Sequence, residues 1–179
     1  MTRYVMVIDQ RRCIGCHSCT VACRTWNKLP LDIVYNPVVT EGAQGTWPNV
    51  HKSWQPLLCM HCENPECVPC CPSGASQQDD DGTVWVDPKK CLSCKVCVNA
   101  CPYGMRDASK LEDRMHRFVR KCTFCRDKRQ LDPSAQPYCV LTCHQKARIF
   151  GDLDDPNSEV SKLIGSVKTE RLFEEFGTE

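Results

Sequence analysis

The sequence lacks the features of several large protein classes. No run of 18 or more apolar residues occurs, so no segment predicts a membrane-spanning helix. Neither sign of charge dominates, since the chain has 23 basic and 22 acidic residues. This balance gives no general case for nucleic acid or a membrane surface as a partner. The first residues hold a short apolar run without a long hydrophobic region or cleavage site, so we expect no export signal. A P-loop, a G-x-G-x-x-G motif and a Ser/His/Asp set are also missing, so we expect no substrate site.

Cysteine is the residue that the chain has in excess. Seventeen of the 179 residues are cysteine, a density found in disulfide-rich secreted domains and in metal proteins. All but one of them fall into four groups of four. The groups are Cys13, Cys16, Cys19 and Cys23; Cys59, Cys62, Cys67 and Cys71; Cys91, Cys94, Cys97 and Cys101; and Cys122, Cys125, Cys139 and Cys143.

The spacing within these groups points to iron. The first and third groups have the spacing C-x2-C-x2-C-x3-C, while the second and fourth share its C-x2-C start and C-x3-C end. A [4Fe–4S] cubane needs one thiolate at each of its irons. A tight loop supplies three of them, and the fourth cysteine of the run ligates the neighbouring cluster of a pair. The sequence therefore predicts four [4Fe–4S] clusters as cofactors.

Two alternatives fit the cysteines less well. Disulfides within a seven-residue run would be strained, and no export signal indicates an oxidising compartment. Zinc commonly uses C-x2-C pairs, but it has no use for a third and a fourth cysteine at this spacing.

The chain also contains an internal repeat. A segment that ends at Cys13 matches one that ends at Cys91, and the shift of 78 positions carries all four cysteines across. In each copy a β-type run, residues 5–8 or 83–86, leads through an aspartate into the cysteine loop. We therefore expect a small, loop-rich α+β fold made of two ferredoxin-like dicluster units related by internal duplication. Such small units cannot bury large apolar cores, so the cluster-free chain should be largely unfolded.

The segments between the groups allow weaker predictions. Residues 24–58 are rich in turn residues and predict an irregular excursion with one or two short strands, whose Trp26, Trp47 and Trp54 either dock a partner or pack over a cluster. Residues 102–121 predict a loop or short helix. The basic stretch 106–129 could meet an acidic partner, although charge runs are usually solvated.

The C-terminal tail predicts surface helices. Asp155 would act as an N-cap with Pro156 at the first helical position. A second helix would span residues 169–176 and end at Gly177.

With these residues in place, the sixteen-cysteine layout resembles one known family, the iron–sulfur subunits of the dimethyl-sulfoxide-reductase family of molybdopterin oxidoreductases. Subunits of this kind serve polysulfide, thiosulfate, tetrathionate, arsenate and dimethyl sulfoxide reductases. Four strings add to the resemblance: YVMVID from Tyr4, CENPECVP from Cys62, KCTFC from Lys121 and ARIFGDLDDP from Ala147.

The resemblance implies a pairing of ligands, which we name set 1 to set 4. Set 1 is Cys13, Cys16, Cys19 and Cys143; set 2 is Cys23, Cys122, Cys125 and Cys139; set 3 is Cys59, Cys62, Cys67 and Cys101; set 4 is Cys71, Cys91, Cys94 and Cys97. It also implies a discontinuous first domain, residues 1–50 plus 113–179 with an insertion at 24–58, and a second domain at 51–112.

The resemblance further implies a function. The chain would not be an enzyme by itself. It would relay single electrons between a large molybdopterin (Mo or W) subunit near set 1 and an integral-membrane quinone subunit. Alternatives are the same relay in a soluble two-subunit enzyme of transhydroxylase or dehydroxylase type, and a free-standing polyferredoxin. Location at the extracytoplasmic membrane face by co-export is expected, with the cytoplasmic side as the alternative.

Four residues need separate interpretation. Cys70 is the spare cysteine, because Pro72 favours its neighbour Cys71 as the ligand, and we expect Cys70 to be a buried free thiol. His144 stands where the family usually has proline, and a solvent-facing position is favoured over a role beside the cluster. His17 and Lys95 occupy matching loop positions, where exposure is again favoured over tuning of a cluster.

Overall fold

The computed structural model describes residues 2–40, 42–108 and 118–178, whose helices and strands are short and separated by long loops. The described strands are β1 (Tyr4–Ile8), β2 (Val38–Val39), β3 (Ala43–Thr46), β4 (Asn49–Lys52), β5 (Gln55–Pro56), β6 (Ser76–Gln78), β7 (Val84–Val86) and β8 (Arg148–Asp152). The described α-helices are α1 (Ser18–Trp26), α2 (Val96–Asn99), α3 (Arg126–Leu131), α4 (Tyr138–Leu141) and α5 (Glu159–Ser166). Short 3₁₀ turns lie at Gln10–Arg12 and Glu174–Phe176.

The described strands pair as antiparallel two-stranded ladders: β1 with β8, β2 with β5, β3 with β4, and β6 with β7. The β1–β8 ladder joins the two ends of the chain and finishes at the pair Ile8 and Arg148. The β6–β7 ladder is a local hairpin that finishes at the pair Ser76 and Val86. Both predicted β-type runs are therefore confirmed, one as β1 and the other as β7.

The apolar core is small and contains cysteine. Leu58, Phe124 and Phe150 pack with Cys59 and Cys122 in one buried cluster. Partly buried residues of β1, together with Tyr35, Met105 and Val140, close over it. Because thiols occupy so much of this core, the apolar surface that it removes from water is modest.

Ion pairs tie the β6–β7 hairpin to α3. Arg126 Nε lies 2.5 Å from Asp79 Oδ2, and Arg129 Nη1 lies 3.0 Å from Asp81 Oδ2. The backbone N–H of Tyr4 also donates to Asp81 O at 3.0 Å. The hairpin turn is thus fixed against both α3 and the first strand.

Two sequence predictions for the linking segments need correction. Residues 24–58 contain four short strands where one or two were expected, because β3–β4 and β2–β5 form two ladders there. Of the predicted loop or short helix at 102–121, residues 109–117 lie outside the described residues. The flanking parts are non-helical and meet at a bridge between Asp107 and Arg120.

The tail also differs from expectation. Helix α5 begins after Ser158, and Asp155 instead accepts a hydrogen bond from the Asn157 N–H at 2.8 Å in a preceding turn. The expected helix at 169–176 is reduced to the 3₁₀ turn Glu174–Phe176, although Gly177 ends it in a left-handed conformation as predicted. Within the described ranges, no helix is both long enough and apolar enough to span a bilayer.

Candidate metal centres

All four C-x2-C pairs share one backbone feature. The residue just before the second cysteine has a positive φ: +68° at Gly15, +50° at His61, +58° at Ser93 and +51° at Phe124. Only one of the four is glycine, and each of the others carries a cost of about 1–2 kcal/mol for this left-handed conformation. Successive N–H groups in such turns form concave anion-binding nests of the kind that surround iron–sulfur sites.

The first and third cysteine loops repeat this pattern once more. His17 and Lys95, the residues before α1 and α2, have φ of 58° and 63°. Both side chains are exposed, as the sequence reading favoured, although Lys95 also borders a cavity described below. Each loop therefore turns twice in the left-handed region before its helix begins.

Helix α1 presents two cysteines on one face. Cys19 and Cys23 are four positions apart, so they lie on the same side of the helix, and both are buried. Asn27 ends the helix, and its Nδ2 donates to Cys23 O at 2.8 Å and to Cys23 Sγ at 3.4 Å. The helix thus holds one cysteine of set 1 and one of set 2, a turn apart.

Three cavities lie among the cysteines, and each is lined by four of them. The first is lined by Cys71, Cys91, Cys94 and Cys97, the second by Cys59, Cys62, Cys67 and Cys101, and the third by Cys23, Cys122, Cys125 and Cys139. These groupings have the membership of sets 4, 3 and 2. The space between atoms in each, part of it open to solvent, is about 300, 360 and 350 Å³ respectively.

Two cysteines of set 1, Cys13 and Cys143, lie beyond the same end of the β1–β8 ladder. Ile8 and Arg148 pair at one end of it, and Cys13 follows Ile8 by as many positions as Cys143 precedes Arg148. The Asp9 N–H donates to Ala147 O at 2.8 Å, just beyond that end. Both cysteines therefore leave the same end of the ladder.

The β6–β7 ladder has the same arrangement. Cys71 precedes Ser76, Cys91 follows Val86 by the same number of positions, and Ser76 pairs with Val86. The Asp87 N–H donates to Ala75 O at 2.7 Å, in the place of the Asp9 bond. The two ladders pair strands that are separated by very different lengths of chain, yet each has cysteines at equivalent positions beyond its end.

The arrangement fits clusters better than the alternatives. All seventeen cysteines are free thiols, which excludes the disulfide reading for this structure. Among residues 2–40, 42–108 and 118–178, no three His, Cys, Asp or Glu side chains converge closely enough to hold one metal ion. Four thiols spread around a cavity suit a cubane with four iron corners, whereas the ligands of zinc meet at a single ion.

The charges of these thiols point the same way. Burial raises the pKa of Cys23 to about 12, and the nearby Cys139 and Cys125 add to the shift. Burial also raises the pKa of Cys62 and of Cys139 to about 11, and that of Cys122 well above its usual value. Grouped thiolates repel one another in a low-dielectric site, so their ionisation requires a positive centre, which iron supplies.

Hydrogen bonds to sulfur surround the cysteines. Backbone N–H groups of Ser76, Phe124 and Ala147 donate to Cys71, Cys122 and Cys143 at 3.4, 3.4 and 3.2 Å. Such bonds stabilise thiolate charge and set cluster potentials. Sequence reasoning missed these donors because a backbone amide leaves no signal in the side-chain pattern.

The sequence reading of the basic stretch 106–129 as a solvated face is wrong for four of its described members. Arg106, Arg120, Lys121 and Arg129 are all buried. Lys121 Nζ donates to Val84 O and, at 2.6 Å, to Cys122 O, so its ammonium lies beside a cysteine. Arg126 and Lys128 are partly exposed, and the cations at 110, 114 and 117 lie outside the described residues. The partners differ within the stretch, since Arg106 is buried beside Cys67 Sγ whereas Arg129 is buried against Asp81.

The C-terminal tail reaches the set 3 cavity. Thr178 lines it together with Tyr103, and their hydroxyl oxygens are 2.7 Å apart. The Asn64 N–H also donates to Thr178 O at 3.1 Å. Thr178 belongs to no sequence motif and is distant in sequence from the cysteines of set 3, which is why sequence reasoning did not find it.

The spare cysteine lies beside the centres. Cys71 lines the set 4 cavity, whereas Cys70 is not among its lining residues. Cys70 is only half-buried, so the expected full burial is wrong. His144 is exposed, as expected.

The three tryptophans of the insertion lie in different surroundings. Trp54 packs over the first cysteine loop, where a Cβ at Gly15 would lie 2.2 Å from its Nε1. Trp26 stacks on Tyr138 with ring centroids 4.0 Å apart. Trp47, at the turn between β3 and β4, is 88% exposed.

Comparison with known proteins gives the same chemistry. Residues 50–153 match the family model described as "4Fe-4S dicluster domain", and residues 4–25 match the one described as "4Fe-4S binding domain". The chain is 39% identical to a selenate reductase subunit of Mesobacillus selenatarsenatis, with 99% of this chain and 70% of the relative covered. It is also 39% identical to a sulfite dehydrogenase subunit of Allochromatium vinosum, with 99% and 80% covered.

A third relative is similar over nearly its whole length. It is the arsenate respiratory reductase iron–sulfur subunit of a Shewanella species, 34% identical, with 98% of this chain and 93% of the relative covered. This similarity therefore extends over the cysteine loops, the β1–β8 and β6–β7 ladders and the linking segments. The chain therefore belongs to the iron–sulfur subunits of the dimethyl-sulfoxide-reductase family of molybdopterin oxidoreductases, which bind [4Fe–4S] clusters and transfer electrons without catalysing the substrate reaction.

Proposed function

We propose that the chain relays single electrons in file through four [4Fe–4S] clusters held by sets 1 to 4, between a molybdopterin catalytic subunit and a membrane quinone subunit. The observation that carries the proposal is the grouping of cysteines: three cavities with four cysteines each, and one ladder end that collects Cys13 and Cys143. When bound, each cluster supplies one-electron redox chemistry.

The order of the sets follows from what lies between them. Helix α1 carries Cys19 of set 1 and Cys23 of set 2. Cys122 of set 2 and Cys59 of set 3 share the buried core. Cys67 of set 3 is hydrogen-bonded to Arg106, whose other partner, Ser76, donates its N–H to Cys71 of set 4. Sets 1 and 4 are therefore the two ends of the file.

The two units proposed are residues 1–50 plus 113–179, with the insertion at 24–58, and residues 51–112. Their equivalent ladders and their matching positive-φ residues support an origin by duplication. Each unit would hold two clusters and exclude water from the cysteines through the small shared core.

Each end of the file has exposed apolar residues beside an exposed cysteine. Ile14, 54% exposed, lies two positions before Cys16 of set 1, and Leu92, 69% exposed, lies two positions before Cys94 of set 4. We assign the set 1 end to the catalytic subunit, as the family resemblance implies, and the set 4 end to the membrane subunit. The extracytoplasmic face, reached by export with the catalytic subunit, is the proposed location.

The cluster assignment is tested with two neighbouring cysteines. In anaerobically purified protein we expect about sixteen irons and as many labile sulfides per chain. Cys71→Ser should lower the iron content by about a quarter and remove one electron paramagnetic resonance signal. Cys70→Ser is the matched control and should change neither. A colourless protein that contains zinc, or equal iron loss in both variants, would contradict the proposal.

The partner assignment is tested at the two ends. Ile14→Asp should release the catalytic subunit from the purified complex while the membrane subunit stays bound, and Leu92→Asp should do the reverse. Both side chains are exposed, so iron content should not change. Retention of both partners by both variants would refute the assignment, and purification without any large subunit would favour a free-standing polyferredoxin.

A further inference from the structure

The side chain of Arg106 connects two of the cysteine sets. Its Nη2 donates to Cys67 Sγ of set 3 at 2.8 Å and to Ser76 Oγ at 2.7 Å. The backbone N–H of Ser76 in turn donates to Cys71 Sγ of set 4 at 3.4 Å. One hydrogen-bonded chain therefore runs from a ligand of one set to a ligand of the next.

The guanidinium is buried without a carboxylate. Arg106 is only 5% exposed, and no aspartate or glutamate of the described ranges forms an ion pair with it. Its Nε and Nη1 have no hydrogen-bond partner in the described part of the chain, although the side chain lines the set 3 cavity. Arg129, in contrast, is buried against Asp81. A buried cation without an anion is strongly unfavourable, so the site requires negative charge from another source.

The position of Arg106 is fixed by its surroundings. The next residue, Asp107, forms a two-way backbone bridge with Arg120, with both N–H to O distances 2.8 Å. Ser76 stands at the end of the β6–β7 ladder, so its hydroxyl is also held in place. The guanidinium is thus set beside the cysteines before any cluster charge changes.

We propose that Arg106 is the shared counter-charge of sets 3 and 4, and that it raises the reduction potential of the cluster held by set 3 most strongly and that of set 4 less. This inference rests on the ligand sets proposed above. Four thiolates give a cluster net negative charge, and reduction adds one more negative charge. A nearby cation and an N–H donor to cysteine sulfur therefore stabilise the reduced form over the oxidised form. The nitrogens Nε and Nη1, which have no partner in the described part of the chain, provide further N–H donors on a side chain that lines the set 3 cavity.

The test is a potentiometric titration of the full chain in its complex, followed by electron paramagnetic resonance. The signal absent from Cys62→Ser identifies set 3. In Arg106→Gln, the ratio of reduced to oxidised set 3 at a fixed potential should fall about tenfold, which is a shift of about 59 mV to lower potential. The signal of set 1 should not move. Lys162→Gln, which removes the same charge from the exposed side of α5, should leave every potential unchanged.

Two milder variants keep the test decisive if Arg106→Gln does not load iron. Arg106→Lys retains the charge but loses the planar fork, so the set 3 potential should fall by less than in the glutamine variant. Ser76→Ala removes only the hydroxyl that holds Nη2, and a smaller fall of the same sign is expected.

Unchanged set 3 potentials in iron-loaded Arg106→Gln would overturn the inference. If that variant loads no iron, unchanged potentials in both milder variants would do so. Failure of the wild-type chain to bind about sixteen irons would instead refute the ligand sets.

Discussion

The first and third cysteine loops, residues 13–23 and 91–101, have the same cysteine spacing in different settings. Both place left-handed residues at matching positions, Gly15 with Ser93 and His17 with Lys95, and both bury the third cysteine. They differ in their surroundings. Helix α1 has nine residues and α2 has four, and the first loop depends on a ladder between the chain ends whereas the third follows a hairpin. Local spacing determines how a loop wraps, and distant contacts determine which cysteine from elsewhere in the chain lies beside it.

Removal of iron should unfold both loops, and the first loop should unfold more readily than the third. The small core cannot hold either unit alone, so chelation under reducing conditions should abolish most far-UV circular dichroism. The chain segment enclosed by the β1–β8 ladder exceeds the one enclosed by the β6–β7 hairpin by more than four doublings of length. Each doubling adds about 0.6 kcal/mol to the entropic cost of closing the loop. On partial iron loss, amides of β1 should therefore exchange hydrogen before those of β7. A fully native spectrum in the cluster-free chain would contradict this expectation.

Exchange of the residues at positions 15 and 93 should affect the two loops differently. Gly15→Ser puts a Cβ 2.2 Å from Trp54 Nε1 and imposes a left-handed serine, so we expect a loss of about 2–4 kcal/mol. Ser93→Gly suits the backbone there and should change stability by less than about 1 kcal/mol. The denaturant concentration at which visible cluster absorbance disappears measures both. Combining Gly15→Ser with Trp54→Ala should recover part of the loss, and equal effects at the two positions would show that Trp54 is not the cause.

The smallest effect is expected at the second left-handed position. His17→Gly and Lys95→Gly each relieve a non-glycine left-handed residue, so each should raise stability by about 1 kcal/mol or less. Because both side chains are exposed and neither makes a capping hydrogen bond to its helix, the two gains should be similar. The same absorbance midpoint tests this. A loss of stability at only one position would reveal a contact that distinguishes the loops.

Much of the cofactor chemistry could be predicted from the sequence. Cysteine spacing alone indicates iron–sulfur clusters, because the ligand geometry of a cubane is local and a short loop provides most of it. The β-type runs before the first and third loops were also predictable from their apolar pattern and were confirmed as β1 and β7. The termination at Gly177 followed from the freedom of glycine in the left-handed region.

Other features could not be predicted because they depend on contacts between distant residues. The sequence pattern indicated Asp155 as an N-cap, but α5 begins after Ser158, and Asp155 accepts a hydrogen bond from the Asn157 N–H in a preceding turn. The basic stretch was expected in solvent, yet Arg106, Lys121 and Arg129 are buried, because they have hydrogen-bond acceptors from remote parts of the chain. Left-handed backbone at Phe124 could not be predicted from the residue type, since a bulky side chain disfavours it.

The cysteine positions by themselves therefore determined the kind of cofactor and the wrapping of each loop, since both depend on residues a few positions apart. Only the tertiary structure brought Cys143 to the ladder end beside the first loop, placed Arg106 between Cys67 and Ser76, and placed Cys59 and Cys122 in one core. These arrangements need chain segments that are far apart in sequence to meet. The free energy that stabilises these long-range contacts comes from packing and charge across the fold, and no short stretch of sequence encodes it.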